Sequence, residues 1–402
     1  MVLTRQGWGL GAASLALLAS GRFFGTLELT LLGAAAGLLV LAVVLRAVLV
    51  RIDVEVRRDV HPARVHAGTP SRIDLQITNR GTRPTPVLRL LDAVSGTRGA
   101  DLGLGPMQPG ATARAAYQLP TERRGLVQIG PLHLLLADPF GLTAVRIRAA
   151  GRNDLTVYPH IDPIAGLPET AGHDPDAADE SPSSLGRSGD EFFAIRPFQI
   201  GDELRKVHWP STARYDELQV RQTELPWQGR ATVLLDLRND VQTEASLDLG
   251  VSAAASVITA ARRSGDLIRI VGTDGTDSGF VPGNAAYSAI LEYLATVPRS
   301  AASSLTRLLD SLARTSDGGA LVVISGELGP HDRTRIDAIR HRYATLTTVL
   351  VERSAWDVQA PVSVEPQRPG EIRVRRDVPF ATAWNQAMSS RSRRRRSTAA
   401  AR

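Results

Sequence analysis

The run Ala231-Thr232-Val233-Leu234-Leu235 is apolar but for one threonine and stops on a carboxylate, Asp236. It is too short for a buried helix and shows no polar alternation, so it reads as a strand covered on both faces. The same element recurs downstream, separated by helical patterns. A helix is predicted from about Glu244 to Arg263, then a strand at Leu267–Val271. Helices follow near Ala285–Ala295 and Ser303–Ala313, then a second buried strand at Ala320–Ile324, a helix across Arg333–Arg342 and a strand at Thr345–Val351. Continuous apolar strands separated by helices predict a mostly parallel sheet with helices on both faces. Such sheets gather functional groups beyond the carboxyl ends of their strands, where this sequence places Asp236 and Ser325.

Upstream, from residue 52 to about 160, the period changes. Ile52-Asp53-Val54-Glu55-Val56 and Ile73-Asp74-Leu75-Gln76-Ile77 alternate with period 2, and Val87–Leu91 is another short strand. Turn clusters punctuate them at Ala67–Pro70, Asn79–Gly81 and Gln108–Gly110, and Asp138-Pro139-Phe140-Gly141 reads as a tight turn closing the last hairpin. Short strands at this spacing predict an antiparallel, immunoglobulin-like β-sandwich. The stretch from Ala165 to Asp190 is rich in Asp, Gly, Ser and Pro without apolar periodicity, so residues 161–188 read as a linker.

Further upstream lie two apolar segments. Leu29–Leu45 carries no charge, and the run resumes after Arg46 to Val50; residues 29–50 as a helix span roughly 33 Å, enough to cross a hydrocarbon core. Gly7–Ser20 is shorter, between Arg5 and Arg22, and reads either as a second spanning helix or as the apolar region of a signal peptide. Arg46, Arg51, Arg57 and Arg58 follow the second segment, while the connecting loop holds only Arg22 and Glu28. The positive-inside rule therefore predicts a cell-membrane protein whose body, after residue 51, is cytoplasmic, and a transmembrane hairpin makes it multi-pass. Gly7/Gly11 and Gly33/Gly37 have the small-xxx-small spacing that lets helices approach closely.

Composition sets the limits. At 402 residues there is room for several cores, and the absence of cysteine excludes disulfides, thiolate zinc sites and cysteine nucleophiles. The net charge of +6 would suit nucleic acid, but Arg391, Arg393, Arg394, Arg395, Arg396 and Arg402 account for it, so the basicity is a tail property and no specific nucleic-acid partner is expected. Such a tail could touch anionic lipid. There is no GxxxxGK[ST], GxSxG, HExxH or helix-opening GxGxxG, and no two of the eight histidines stand at metal-ligand spacing. A non-enzymatic protein without a cofactor is expected. The alternative is a hydrolase using Asp202, His208 or Asp236, which would need a pocket that raises a carboxylate pKa.

The densest polar segment runs from Gly189 to Arg214, where aromatics alternate with opposite charges. Arg196, Asp202, Arg205 and Arg214 could form a network over Trp209, acting either as a brace or as a partner-binding face, for which Arg and Trp are well suited. Gly189, Phe192, Arg196, Phe198, Gly201-Asp202, Arg205, Val207, Trp209, Thr212-Ala213-Arg214, Val220 and Glu224 together resemble the signature of the DUF58 family. Arg124-Gly125, Gly130-Pro131 and Asp138–Leu142 also look like this family. The resemblance implies a von Willebrand factor A-like domain after the signature and a MoxR-type AAA+ ATPase as partner. An intact metal site of that domain has Asp-x-Ser-x-Ser; here the matching residues are Asp236-Leu237-Arg238-Asn239-Asp240, and Ser325-Gly326 stands where a second Asp is usual. The resemblance thus implies a degenerate site at Asp236, Asp240 and Ser325 that holds no metal.

The expected multidomain plan is a transmembrane hairpin (1–51), a β-sandwich (52–160), a linker (161–188), the signature segment (189–226), an α/β von Willebrand A-like domain (227–380) and a basic disordered tail (381–402). The expected role is that of a membrane-anchored adaptor or scaffold working with the ATPase in envelope-related assembly.

Overall fold

A computed structural model describes residues 2–49, 52–137, 140–168, 192–198, 207–223, 229–280, 282, 284–301, 304–314, 318–362 and 367–400. The chain divides into two compact units, one built from residues 1–160 with 291–297, the other from 161–290 with 298–402.

The first unit opens with a two-residue strand, β1 (Val2–Leu3), and two helices, α1 (Arg5–Phe24) and α2 (Leu27–Leu49). The Thr4 hydroxyl caps α1 by accepting from the Gly7 N–H at 3.1 Å, and Gly25 ends it in the left-handed region that glycine enters without strain. The helices fold back on each other through small residues. A Cβ on Gly33 would lie 2.9 Å from the Leu18 amide nitrogen, and the Ser14 hydroxyl donates to the Gly33 carbonyl at 2.7 Å. Gly33/Gly37 therefore face α1, but Gly7/Gly11 do not face α2: Gly7 abuts the Leu142 carbonyl and Gly11 meets open space.

Among the described residues only α2 is long and apolar enough to cross a membrane. The expectation of two such spans is corrected on that point. Arg5, Gln6, Arg22 and the glycines and serines of α1 dilute its apolar content below that of a spanning segment.

Nine further strands complete the unit: β2 (Val54–His61), β3 (Arg64–His66), β4 (Arg72–Asn79), β5 (Leu88–Val94), β6 (Ala100–Leu104), β7 (Thr112–Gln118), β8 (Gly125–Ala137), β9 (Thr143–Ala150) and β10 (Asn153–Tyr158). β2, β4 and β7 form a three-stranded antiparallel sheet. The second sheet runs β1-β9-β8-β10-β3, with β5 also paired to β8 and β6 to β5. Period-2 alternation buries Ile73, Leu75 and Ile77 of β4 in one core with Leu90, Ile129 and Leu155 of the other sheet.

Polar groups also join the sheets. Arg58 of β2, itself buried, donates to the Asp92 carboxylate of β5 at 2.7 Å, to the Asn153 side chain at 2.7 Å and to the Gly151 carbonyl at 2.5 Å. The Tyr117 hydroxyl of β7 donates to the other Asp92 oxygen at 2.7 Å. Burial first, and the neighbouring Asp92 second, push the Tyr117 phenol well above its ordinary value, so it stays a donor.

The second unit starts with an antiparallel pair, β11 (Phe192–Pro197) and β12 (Gln219–Thr223), with the short helix α3 (Trp209–Tyr215) between them in sequence. Then come β13 (Arg230–Leu235), α4 (Glu244–Ser264), β14 (Leu267–Gly272), α5 (Asn284–Thr296), α6 (Leu305–Leu312), β15 (Ala320–Ser325), α7 (Pro330–Ile339), β16 (Thr345–Val351), β17 (Glu371–Val374) and α8 (Phe380–Ala400). The five strands β13 to β17 make one parallel sheet in the order β14-β13-β15-β16-β17. α6 and α7 cover one face through Leu305, Leu309, Ile336 and Ile339, packed on Leu234, Leu321 and Val323. Strand order reverses between β13 and β15, the position at which sheets of this class open a crevice.

Two expectations for the C-terminal part are corrected. β17 has charged residues at alternate positions, yet all four of its residues are buried, because Glu371 and Arg373 satisfy each other at 2.6 Å. Residues 381–402 are not a disordered tail: α8 runs through them to Ala400, and Phe380, Ala383, Trp384 and Met388 are buried. The Trp384 indole N–H donates to the Ala165 carbonyl at 2.9 Å, and the Ala165 N–H donates to the Asn385 side chain at 2.7 Å. The opening residues of the expected linker are thereby packed, while 169–188 lie outside the described residues.

Candidate functional site

The crevice between β13 and β15 is built around Asp236. The β13 register carries its N–H onto the Ile324 carbonyl at 2.9 Å, which leaves its wholly buried carboxylate at the carboxyl end of the sheet. Ser325, at the end of the neighbouring strand, donates its hydroxyl to that carboxylate at 2.8 Å. Gly326 follows because the Val241 carbonyl would lie 2.3 Å from any Cβ there. The Gln242 amide donates to the Asp236 carbonyl oxygen at 3.1 Å and fixes the loop leading to α4.

Arg238 dominates the electrostatics. Its guanidinium grips both Asp236 carboxylate oxygens at 2.9–3.2 Å, and its Nη2 also donates to Asp332 of α7 at 2.9 Å. Burial works against this charge, but the two carboxylates outweigh it and hold the guanidinium above its ordinary value. A cation therefore bridges the carboxylates at this strand end, and it is part of the chain.

Hard divalent ions need several oxygen ligands. Here both Asp236 oxygens and one of Asp332 already accept from Arg238, and Asp240 stands exposed on the turn beyond. Among the described residues no group of three His, Cys, Asp or Glu is placed to hold a metal ion. The donor set does not fit a divalent ion. Arg238 was visible in the sequence as a neighbouring charge. Asp332 gave no signal, because it enters from the first turn of α7 some ninety residues away.

The signature residues fall into two groups. Arg196 lies on β11 opposite Val220 of β12. Asp202 and Arg205 lie outside the described residues, as does the side chain of Arg196. Trp209 opens α3 and is 65% exposed; Arg214 and Tyr215 in the same helix are also exposed. His208 sits at the N-cap of α3, where Nδ1 lies 2.8 Å from the Ser211 hydroxyl and accepts from the Ser211 N–H at 3.3 Å. That nitrogen is engaged in capping, a structural duty.

Residues 194–361 match a family model described as "Protein of unknown function DUF58". No curated protein matches the sequence. Among solved structures, the chain is similar to the CARDB domain of the PF1109 protein from Pyrococcus furiosus at 13% identity, covering 26% of this chain and 93% of that one with a TM-score of 0.22. It is similar to the alkylpurine DNA glycosylase AlkC of Pseudomonas fluorescens at 15% identity, covering 33% and 39% with a TM-score of 0.19. For a Listeria innocua β-glucosidase the values are 11%, 25%, 16% and 0.17. Scores this low carry no argument about fold or function.

Proposed function

Because the chain belongs to the DUF58 family, matched over residues 194–361, we propose that it is a membrane-anchored, non-enzymatic adaptor that presents the α3 face of its second unit to a MoxR-type AAA+ ATPase. The first unit is read as immunoglobulin-like and the second as a von Willebrand A-like domain whose metal is replaced by Arg238. Envelope-related assembly is the process in which such an adaptor would act.

The observation that carries the reading is the exposure of Trp209. A brace inside the fold would bury its largest aromatic, whereas a docking face keeps it open until the partner arrives. Support also comes from the strand-end crevice, where Asp236 is fully engaged and no longer free to act as a general base. Replacing Trp209 with Ala is expected to lower affinity for the ATPase by about 2 kcal/mol or more, near thirtyfold, with the melting temperature unchanged. Co-purification from detergent-solubilised membranes, together with a thermal melt, measures both. Full recovery of the ATPase by a folded Trp209→Ala protein would remove the docking role, and failure of the unmutated protein to recover any ATPase would remove the adaptor reading itself.

Anchoring is assigned to α2, with the body on the cytoplasmic side next to Arg46, Arg51 and Arg57. The pairing of Val2–Leu3 with Thr143 and Ala144 of β9 supports a hairpin that returns to its starting side, since α1 begins on the sheet that follows α2. The Thr4 N–H, bonded to the Leu142 carbonyl at 2.9 Å, adds to that tether. A reporter fused after residue 402 is expected to be active only as a cytoplasmic reporter; periplasmic phosphatase activity from that position would overturn the orientation. Arg393–Arg396, next to such a membrane, would meet anionic lipid at about 1 kcal/mol per arginine near the surface.

A further inference from the structure

In the second unit, away from the Asp236 crevice, a cavity of about 420 Å³ opens between α7, β16 and the start of β17. Its wall includes Arg333, Arg340, Arg368, Gly370 and Glu371. These arginines differ in their partners. Arg333 is bound on both sides, to Glu371 at 2.8 Å and to the Leu328 carbonyl at 3.0 Å. Glu371 is in turn shared with Arg373, so it has no charge left for a further cation. Arg340 holds only an exposed contact with Asp337 at 3.1 Å. Among the described residues Arg368 makes no ion pair.

Arg391 of α8 completes the arrangement. It is half-buried, and its one hydrogen bond among the described residues goes to the neutral Thr347 hydroxyl at 2.8 Å. Gly370 is the point of convergence: a Cβ built there would lie 3.6 Å from Arg340 Nη1 and 3.7 Å from Arg391 Nη2. Two guanidinium groups from different helical segments thus meet over one residue with no carboxylate between them. Burial first, and the Arg340 charge second, push the Arg391 guanidinium below its ordinary value. Like charges brought together without a counter-ion oppose folding, and proteins keep such arrangements where an anion relieves them.

We propose that Arg340 and Arg391, with Arg368 at the rim, form a binding site for the phosphate group of a small molecule beside Gly370. Guanidinium groups recognise tetrahedral oxyanions through paired N–H donors, and the cavity lies within the size range of small-molecule pockets. The absence of a side chain at Gly370, with its φ of +84°, leaves the approach to both guanidinium groups open.

The test uses the full chain in detergent, with inorganic phosphate and pyrophosphate as probes and chloride at equal ionic strength as the control. Both phosphates are expected to raise the melting temperature above the chloride control, as a ligand of the native state must. Calorimetry is expected to give about tenfold or more weaker phosphate binding in Arg391→Gln and in Arg340→Gln, the loss associated with one charge-assisted contact. Arg340→Gln in phosphate-free buffer is expected to melt no lower than the unmutated protein, because it removes a repulsion. Stabilisation by chloride equal to that by phosphate would reduce the effect to screening and overturn the site. Unchanged phosphate binding in both variants would do the same. Neither outcome bears on docking at Trp209.

Discussion

Replacing Asp92 with Ala is expected to cost about 3–5 kcal/mol, the usual loss when one partner of a buried ion pair is removed. Arg58 and Asp92 each keep only 1% of their side-chain surface exposed. Without the carboxylate, the guanidinium would retain Asn153 and backbone carbonyls but no counter-charge, and Tyr117 would lose its acceptor. The group cannot lose its proton to escape, since guanidinium stays charged at any accessible pH. A double replacement, Arg58→Met with Asp92→Leu, is expected to recover most of the loss, because apolar pairs of similar volume match or exceed buried ion pairs in stability. Thermal melts of the three proteins decide the matter. A loss below about 1 kcal/mol in Asp92→Ala would mean water reaches Arg58, contrary to its burial.

This ion pair also marks where sequence reading ends. Arg58 reads as one of four arginines that orient the membrane segment, and nothing local distinguishes it from Arg57. Its neighbour projects to solvent, 69% exposed, because successive residues of β2 face opposite sides. The face that holds Arg58 is set by pairing with β4, and its partners come from β5, β7 and β10. Strands in the second unit were legible because apolar runs such as Ala320–Ile324 and Thr345–Val351 have no solvent face to interrupt them. β17 was not, since charges that are paired within the fold look like loop charges in the sequence. Within the candidate site, Asp236, Arg238 and Ser325 could be read from strand ends. Asp332 required the three-dimensional arrangement of α7 over β13.

Replacing Trp384 with Ala is expected to have an equally large effect, about 3–5 kcal/mol, through loss of a large buried aromatic. Trp384 is wholly buried in the second unit, stands 5.6 Å from the Phe380 ring, and donates to the Ala165 carbonyl. Truncation removes that packing and leaves the carbonyl without its donor. For a unit of this size, the loss corresponds to a melting temperature lower by about 6–20 °C. The helical spacing of Phe380, Trp384 and Met388 was present in the sequence, four residues apart each time, but the arginines after it gave the segment the appearance of a solvated end. Two shortened chains separate those readings. A protein ending at Ser390 keeps all three apolar side chains and is expected to melt within a few degrees of the full chain, losing chiefly the Arg391 bond to Thr347. A protein ending at Pro379 lacks the whole stripe and is expected to melt as low as Trp384→Ala or lower. If the chain ending at Pro379 melts with the full-length protein, α8 is an appendage and its packing contributes nothing to the second unit.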